Sequence, residues 1–347
     1  MHDTATIMAS RGHDVTILTS RLPGTEEEEK TPEGYRILRL ESKFHDVYNP
    51  PIVHSDGVLE ALESLDPDVV NHNYRWAPSF DKNVARFDGR KVFTVHNMWG
   101  EGRGIVGAGS RINDALFLRR YADSYGLFVC VSEFVRRATV ERGIPECRTV
   151  TVPSCLNALP PENASPEGDY ILSLGRLVRP KGLDYLVEAM RDVDCKLYIC
   201  GKGPEEERLA RKISLHGLQD RVEMLGYVNE EEKQRLMRGC RLFVMPSVFE
   251  SFGLAAVEQM SYGRPIVCSK VNGLPETVGD AGILVPPKDP KAIASAVNRL
   301  LGDDGLRSDL GRKAYAQAGK YVWENHADRF VDLMTRVNGG EFDRKLR

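Results

Sequence analysis

The sequence predicts an α/β protein built from two doubly wound domains. Three observations carry that prediction. Short β-rich runs alternate with helical stretches along most of the 347 residues, which implies βαβ units and a parallel sheet. The strand-like runs, such as KVFTVHN (91–97) and RLFVMPS (241–247), are largely apolar, as suits a sheet covered on both faces. Between two such series lies NALPPENASPEG (157–168), with three prolines, a glycine and little apolar content, which reads as a linker.

In order, MHDTATIMASRGH reads as a helix closed by Gly12, DVTILTS as a strand and YRILRL (35–40) as another. VLEALESLDPD is helical up to Pro67, and DVVNHN (68–73) and KVFTVHN are strands. ALFLRRYAD is helical, LFVCVS (127–132) a strand, EFVRRATVERG a helix stopped at Gly143, and RTVTVP (148–153) a strand. Past the linker come the strands YILSLGR, KLYICG, RVEMLGYV, RLFVMPS, PIVCSK and GILVPP, with GLDYLVEAMRD, EEERLARKISLHG and EEEKQRLMRG as helices among them. The expected domains are 1–156, then 169–322 after the linker 157–168, with a C-terminal helical stretch over 323–347.

Composition bounds the function. With 41% hydrophobic and 28% charged residues and a net charge of −3, nothing overall calls for nucleic acid. The seven cysteines include no C-x-x-C pair, so reduced and mostly buried thiols are expected rather than metal ligands. No apolar run approaches the roughly 20 residues of a membrane span, and MHDTATIMAS has neither the basic start nor the apolar core of a signal peptide.

The chemistry concentrates in the second half. In FESFGLAAVEQMSYGRP (249–265), Ser251 is a fair N-cap for a helix over about 252–262, closed by Gly263 and Pro265. A helix start presents free N–H groups to an anion, and Gly253 offers close approach. Glu250 lies ahead of that start and Glu258 two turns in, both good acceptors for paired hydroxyls. YILSLGRLVRPKG (170–182) brings Arg176 and Lys181 onto a loop at a strand's carboxyl end, where doubly wound sheets bind ligands. KLYICGKGPEEERL places Gly201 and Gly203 in the equivalent turn, either for ligand approach or as a tight turn, and LGYV (225–228) ends the next strand. A diphosphate with a hydroxyl-rich ring at each end, such as a nucleotide sugar, would use all of these features.

The ordered set G-R-L-x-x-x-K-G, L-G-Y-V, E-S-F-G-L-x-x-x-E and G-L-P-E (273–276) resembles the retaining glycosyltransferases of family four. RGHDVTILTS near the start and YVWENHADRF near the end extend the resemblance over nearly the whole chain. It implies the GT-B fold, two Rossmann-like domains facing a cleft, with the C-terminal helix crossing back to the first domain. It implies transfer of a sugar, hexosyltransferase fashion, from a nucleotide diphosphate sugar to a glycan, lipid-linked glycan or small-molecule hydroxyl. Reaction on one sugar face is implied, without metal or other cofactor. By position, Arg176 and Lys181 would hold the diphosphate. Gly203, Tyr227, Ser251 and the backbone of Phe252, Gly253 and Leu254 would support the donor. Glu250 would bind sugar hydroxyls, Glu258 the ribose, and His96 would lie near the transferred sugar, making His96 and Glu250 the expected catalytic residues.

Departures are visible. The family opens with a strand and a Gly-rich loop, whereas this sequence starts inside the following helix, which reads as a late start. VPSCLN (152–157) stands where V-P-N-G-V-D is frequent, and Asn71-His72-Asn73 where H-x-H is often found. Two alternatives remain: a catalytically impaired nucleotide-sugar-binding protein, and an NAD-dependent oxidoreductase suggested by Gly102-x-Gly104-x-x-Gly107. Against the latter, the next strand ends in Ser132 rather than an acid, and a mobile acceptor-site loop fits residues 100–109 better. The arginines of LFLRRYAD and FVRRATVERG allow peripheral contact with an anionic membrane from a cytoplasmic location.

Overall fold

The computed structural model describes residues 2–45, 52–73, 77–97, 104–161 and 168–342. The chain divides into two compact units, one comprising Met1–Asn157 with Trp323–Arg347 and the other Ala158–Val322.

The first unit begins with α1 (His2–Ser10), β1 (Thr16–Ser20), β2 (Glu28–Lys30), β3 (Arg36–Leu40), β4 (Ser42–His45) and β5 (Ile52–Ser55). It continues with α2 (Val58–Leu65), β6 (Val70–Asn73), α3 (Pro78–Arg86), β7 (Lys91–Val95), α4 (Gly104–Tyr121), β8 (Leu127–Cys130), α5 (Glu133–Val140) and β9 (Thr149–Thr151). Strands β6-β7-β8-β9 form one parallel sheet, β1 pairs in parallel with β3, and β2 and the β4–β5 pair add antiparallel pieces. Every residue of β7 and β8 is buried, as the apolar runs predicted.

The second unit holds β10 (Tyr170–Leu174), α6 (Leu183–Ala189), β11 (Lys196–Cys200), α7 (Glu206–Leu215), β12 (Val222–Gly226) and α8 (Glu230–Gly239). Then follow β13 (Leu242–Met245), α9 (Leu254–Met260), β14 (Ile266–Ser269), α10 (Leu274–Val278), β15 (Gly282–Val285), α11 (Pro290–Leu301) and α12 (Asp304–Ala318). Its six strands form one parallel sheet in the order β12-β11-β10-β13-β14-β15. The order reverses between β10 and β13, which is the topological switch point where doubly wound sheets take their ligands.

The last helix, α13 (Ala327–Asn338), belongs to the first unit. Phe330, Leu333, Met334 and Val337 recur at helical spacing and, with Trp323, join Val92, Leu127 and Val129 in one core cluster. Burying side chains of this size is worth about 1.5–3 kcal/mol each, enough to tie the returning chain to the sheet.

Three expectations are corrected. The helix after Glu250 begins at Leu254, not Phe252. Gly253 is its N-cap at φ 99°, a left-handed conformation that cannot continue a helix backwards. Ser251 therefore does not cap it, and Glu258 stands one turn in rather than two. Residues 100–109 do not form the expected loop throughout: Gly104 and Gly107 lie in α4, and Gly102 falls outside the described residues. The expectation of mostly buried thiols holds: six of the seven cysteines are buried free thiols, and Cys147 is an exposed one. Among the described residues no helix is long and apolar enough to cross a membrane.

Candidate functional site

The loops after β12, β11, β10 and β13, four neighbouring strands, carry Tyr227, Gly203, Arg176 and the segment 250–253, which leads into Leu254 at the start of α9. The sequence-predicted residues of the second unit thus share the carboxyl edge of one sheet. At the switch point itself, Lys181 Nζ lies 2.6 Å from Glu250 Oε2, both largely shielded from solvent. The backbone locks the two loops together, because Val248 N–H donates to Pro180 O at 2.8 Å. A Cβ on Gly182 would sit 2.1 Å from Pro246 O, so only glycine fits where the chains meet.

The ion pair leaves chemistry to spare. An ammonium has three donors and an ionised carboxylate about four acceptor positions, so a single contact between them leaves most of both for a ligand. Arg176, on the same loop after β10 as Lys181, is exposed. Arg179 is bound instead to Glu205 at 3.2 Å, which also receives Arg208, and Arg208 reaches Asp184 at 3.4 Å. That cluster braces the basic loop against the start of α7.

The glycines on this edge make room for chain rather than for ligand. A Cβ on Gly201 would lie 1.9 Å from Gly175 O, and one on Gly203 2.4 Å from Leu177 O. The space read as ligand approach is filled by the loop that carries Arg176. Gly253 follows the same rule, with Leu274 Cδ2 2.5 Å from its absent Cβ.

The Glu250–Gly253 path is held from behind by residues that sequence reasoning missed. Thr277 Oγ1 donates to Phe252 O at 2.6 Å, Gly273 N–H donates to Glu250 O at 3.1 Å, and Tyr321 sets its ring edge-on to buried Phe252. Gln317 Nε2 donates to Thr277 O at 3.0 Å, and Tyr321 OH donates to Glu276 O at 3.1 Å. Leu254 and Tyr227 remain exposed.

Glu258 also faces a lysine absent from the predicted set. Lys233 Nζ lies 3.8 Å from Glu258 Oε2 and 2.9 Å from Glu230 Oε2. Burial works against its charge, but the hydrogen bond it donates to Glu230 and the fields of Glu258 and Glu230 hold its pKa above the ordinary value. Glu230 shows the reverse: burial raises it, yet Lys233 and Gln234 bring it below the ordinary carboxylate value. Burial pushes the nearby thiols Cys200 and Cys268 up to about 12, which removes them as nucleophiles.

In the first unit, His96 follows β7, and its Nε2 is 2.7 Å from Asn73 Oδ1. Asn71 and Asn73 share one face of β6, while His72 points the other way into the core. There His72 Nδ1 is hydrogen-bonded to Tyr125 OH at 2.6 Å, and its Nε2 is 3.4 Å from Asp81 Oδ1, too poorly aligned for a hydrogen bond. Its ring packs on Phe93 and Tyr125. His72 is a structural histidine.

Comparison with known proteins follows the same division. Residues 1–158 match the family described as Glycosyltransferase Family 4, and residues 158–317 the family described as Glycosyl transferases group 1. A glycosyltransferase of Methanocaldococcus jannaschii is 26% identical over 316 residues, covering 84% of this chain and 86% of that relative. A second from the same organism is 37% identical over 170 residues, 47% of this chain and 44% of the relative. The O-antigen chain mannosyltransferase B of Escherichia coli is 32% identical over 229 residues, 60% of each chain. The match therefore spans less than two thirds of two of these three relatives. Among solved structures, the sucrose-phosphate synthase of Thermosynechococcus elongatus superposes with a TM-score of 0.83 at 22% identity, over 97% of this chain and 92% of that one. HepE of Anabaena, solved with UDP and glucose, gives 0.71 at 17% identity over 87% and 86%. At these identities the structural likeness carries the fold.

Proposed function

This chain belongs to glycosyltransferase family 4 and has the GT-B fold, and from that premise we propose that it transfers a sugar from a nucleotide diphosphate sugar to an acceptor hydroxyl with retention. The observation that supports this most directly is the Lys181–Glu250 pair at the switch point of the second sheet. A cation with donors to spare stands next to a carboxylate with acceptors to spare, which is what a phosphate bonded to a sugar requires.

In this reading Arg176 and Lys181 stabilise the departing diphosphate, a preorganised electrostatic role. Glu250 accepts hydroxyls of the sugar, Glu258 those of the ribose, and Tyr227 and the 251–254 backbone line the donor, with Gly203 packed behind them against Leu177 O of the Arg176 loop. His96 contacts the transferred sugar. The bond from the anomeric carbon to the phosphate oxygen breaks as the bond to the acceptor oxygen forms on the same face. The acceptor's proton passes to the leaving diphosphate. The reading assigns no metal, no other cofactor and no protein nucleophile.

The acceptor hydroxyl belongs to a glycan, a lipid-linked glycan or a small molecule. Ile112 and Leu116, 62% and 59% exposed, lie one turn apart on α4, and Arg119 and Arg120 continue that side. An apolar stripe ending in arginines suits peripheral contact with an anionic leaflet on the cytoplasmic side. Co-sedimentation with anionic but not zwitterionic vesicles supports this contact, and equal behaviour with both refutes it.

The central test is thermal stabilisation by UDP, GDP or NAD, followed by assay of the matching nucleotide sugar. A nucleoside diphosphate is expected to raise Tm, and Glu250→Ala to abolish transfer with the fold intact. Stabilisation by NAD alone, or full activity in Glu250→Ala, overturns the reading. Slow donor hydrolysis separates a working enzyme from a protein that only binds.

A further inference from the structure

We propose that Lys202 reads the nucleobase of the donor, and that its amine selects a base carrying a carbonyl, uracil or guanine, over one carrying an amino group in that place, cytosine or adenine. The proposal rests on the functional reading above and deepens it by naming the class of nucleotide.

Three glycines form a row across the carboxyl edge of the second sheet. Gly226 ends β12, Gly201 follows β11 and Gly175 follows β10. Backbone bonds hold them in line: Gly201 N–H donates to Gly226 O at 2.7 Å, and Gly175 N–H donates to Cys200 O at 3.0 Å. No side chain rises from the row, which makes it a bare strip two strand spacings wide, about 10 Å. Unlike Gly201 and Gly203, the two end glycines are not filled by neighbouring backbone; each has a lysine laid across it instead. A Cβ on Gly175 would sit 3.8 Å from Lys181 Cε, and one on Gly226 3.9 Å from Lys202 Cε; chain neighbours aside, nothing else comes within 4 Å of either.

The two lysines differ in what their amines do. Lys181 is paired with Glu250 at the switch point. Lys202 is exposed, and among the described residues its amine has no hydrogen-bond or ion-pair partner. Its backbone is held all the same, because Leu177 N–H donates to Lys202 O at 2.9 Å. A fixed stem thus carries an uncommitted ammonium to the outer end of the strip. A diphosphate at the Lys181 end leaves the strip for the nucleoside and brings its base to Gly226. There the missing Cβ lets a flat ring lie on the backbone, beside exposed Tyr227.

An ammonium donates three hydrogen bonds and accepts none. Guanine offers O6 and N7 as acceptors and uracil, like thymine, offers O4, whereas cytosine and adenine present an N–H2 donor at the equivalent position. A donor set against a donor leaves both unpaired, which costs binding. A second cation on the phosphates, by contrast, would strengthen all four nucleotides alike.

Titration calorimetry with UDP, GDP, CDP and ADP tests this on the parent protein and on Lys202→Met, which keeps a stem over Gly226 and removes the charge. UDP or GDP is expected to bind tightest, about tenfold ahead of both CDP and ADP, the effect of one charged hydrogen bond. Lys202→Met is expected to weaken that tightest ligand by about the same factor and to leave CDP and ADP unchanged, so that the preference disappears. Three results overturn the proposal and leave the functional reading standing: CDP or ADP bound as tightly as the better of UDP and GDP in the parent, a preference that survives in Lys202→Met, or an equal loss for all four nucleotides, which marks a phosphate contact. Binding of none of the four overturns the functional reading, and the proposal with it.

Discussion

Replacing Thr277 with valine tests whether the Glu250–Gly253 loop is held by a single hidden hydroxyl. Thr277 is fully buried, and its Oγ1 reaches Phe252 O at 2.6 Å and Gly273 O at 3.1 Å. Gly273 O also accepts the N–H of Thr277 at 3.0 Å and keeps that partner in the variant. Phe252 O receives no other hydrogen bond among the described residues. Valine preserves the volume and removes only the donor, so the cost is that of a buried carbonyl left unsatisfied, about 1–3 kcal/mol. In a unit of this size each kcal/mol lowers Tm by about 2–4 °C, which puts the expected fall near ~5 °C by differential scanning calorimetry. Thr277→Ser is the control, because it keeps the hydroxyl and loses one methyl, worth about 0.8 kcal/mol. Nucleoside diphosphate affinity is expected to fall in the valine variant and to hold in the serine variant, since only the first frees the backbone that leads into Gly253 and Leu254. A valine variant as stable and as tight-binding as the parent would refute the claim that this hydroxyl holds the loop.

Three further outcomes follow from the same edge of the sheet and its surroundings. Gly201→Ala combines a positive φ of 132° with a Cβ 1.9 Å from Gly175 O, whereas Gly217→Ala has φ 63° and nothing within 4 Å; the first should cost clearly more stability and weaken nucleoside diphosphate binding through the Arg176 loop, and equal costs would refute the close packing. Native protein should release one equivalent of colour with a thiol reagent, from exposed Cys147, and seven after denaturation, because the other thiols are buried and burial raises Cys130, Cys155, Cys200 and Cys268 to about 12; two or more fast thiols would contradict it. Glu230 is held below its ordinary value in the folded state, so its contribution is complete above the unfolded carboxyl value and fades as pH falls through the lower folded one; Lys233→Met should therefore reduce the loss of Tm between about pH 7 and about pH 3, and an identical acid profile would refute the pairing.

Most of the architecture was legible because apolar runs and helix stops are local. Val92–Val95 and Leu127–Cys130 announce buried strands by composition, and the structure buries them completely. What escaped was decided by other parts of the chain. Strand β2 is Glu-Glu-Lys and fully exposed, so its pairing with β3 leaves no apolar signature. The length of α9 was misjudged because the pattern from Phe252 onward is helical in period, while the left-handed turn at Gly253 is forced by Leu274 and the loop beside it. Gly201 and Gly203 were visible as special positions, but not that neighbouring backbone, rather than a ligand, takes up the room.

The acids of E-S-F-G-L-x-x-x-E show the same limit in the site itself. Read alone, Glu250 and Glu258 look like a pair of carboxylates that differ only in position. In the fold each meets a lysine from a different element: Glu250 meets Lys181 from the loop after β10, and Glu258 meets Lys233 from α8. The Lys181–Glu250 contact joins residues 69 apart in sequence, a distance at which no periodicity carries information. Pairing changes what the acids can do. A lone carboxylate beside a diphosphate would repel it, at a cost that grows as water is excluded. A carboxylate already facing an ammonium presents little net charge, yet keeps its remaining lone pairs for hydroxyls, while the ammonium keeps its remaining hydrogens for phosphate. On the proposed reading, the two lysine–glutamate contacts let hydroxyl recognition and anion recognition share one sheet edge. It follows that Glu250→Gln and Lys181→Met should not be additive in nucleoside diphosphate binding: the glutamine variant releases Lys181 to the phosphate, and the methionine variant leaves Glu250 to repel it. Titration calorimetry on both single variants and the double variant decides the point, with the double variant binding more tightly than Lys181→Met alone; binding no tighter than that single variant would show that Glu250 exerts no charge on the ligand.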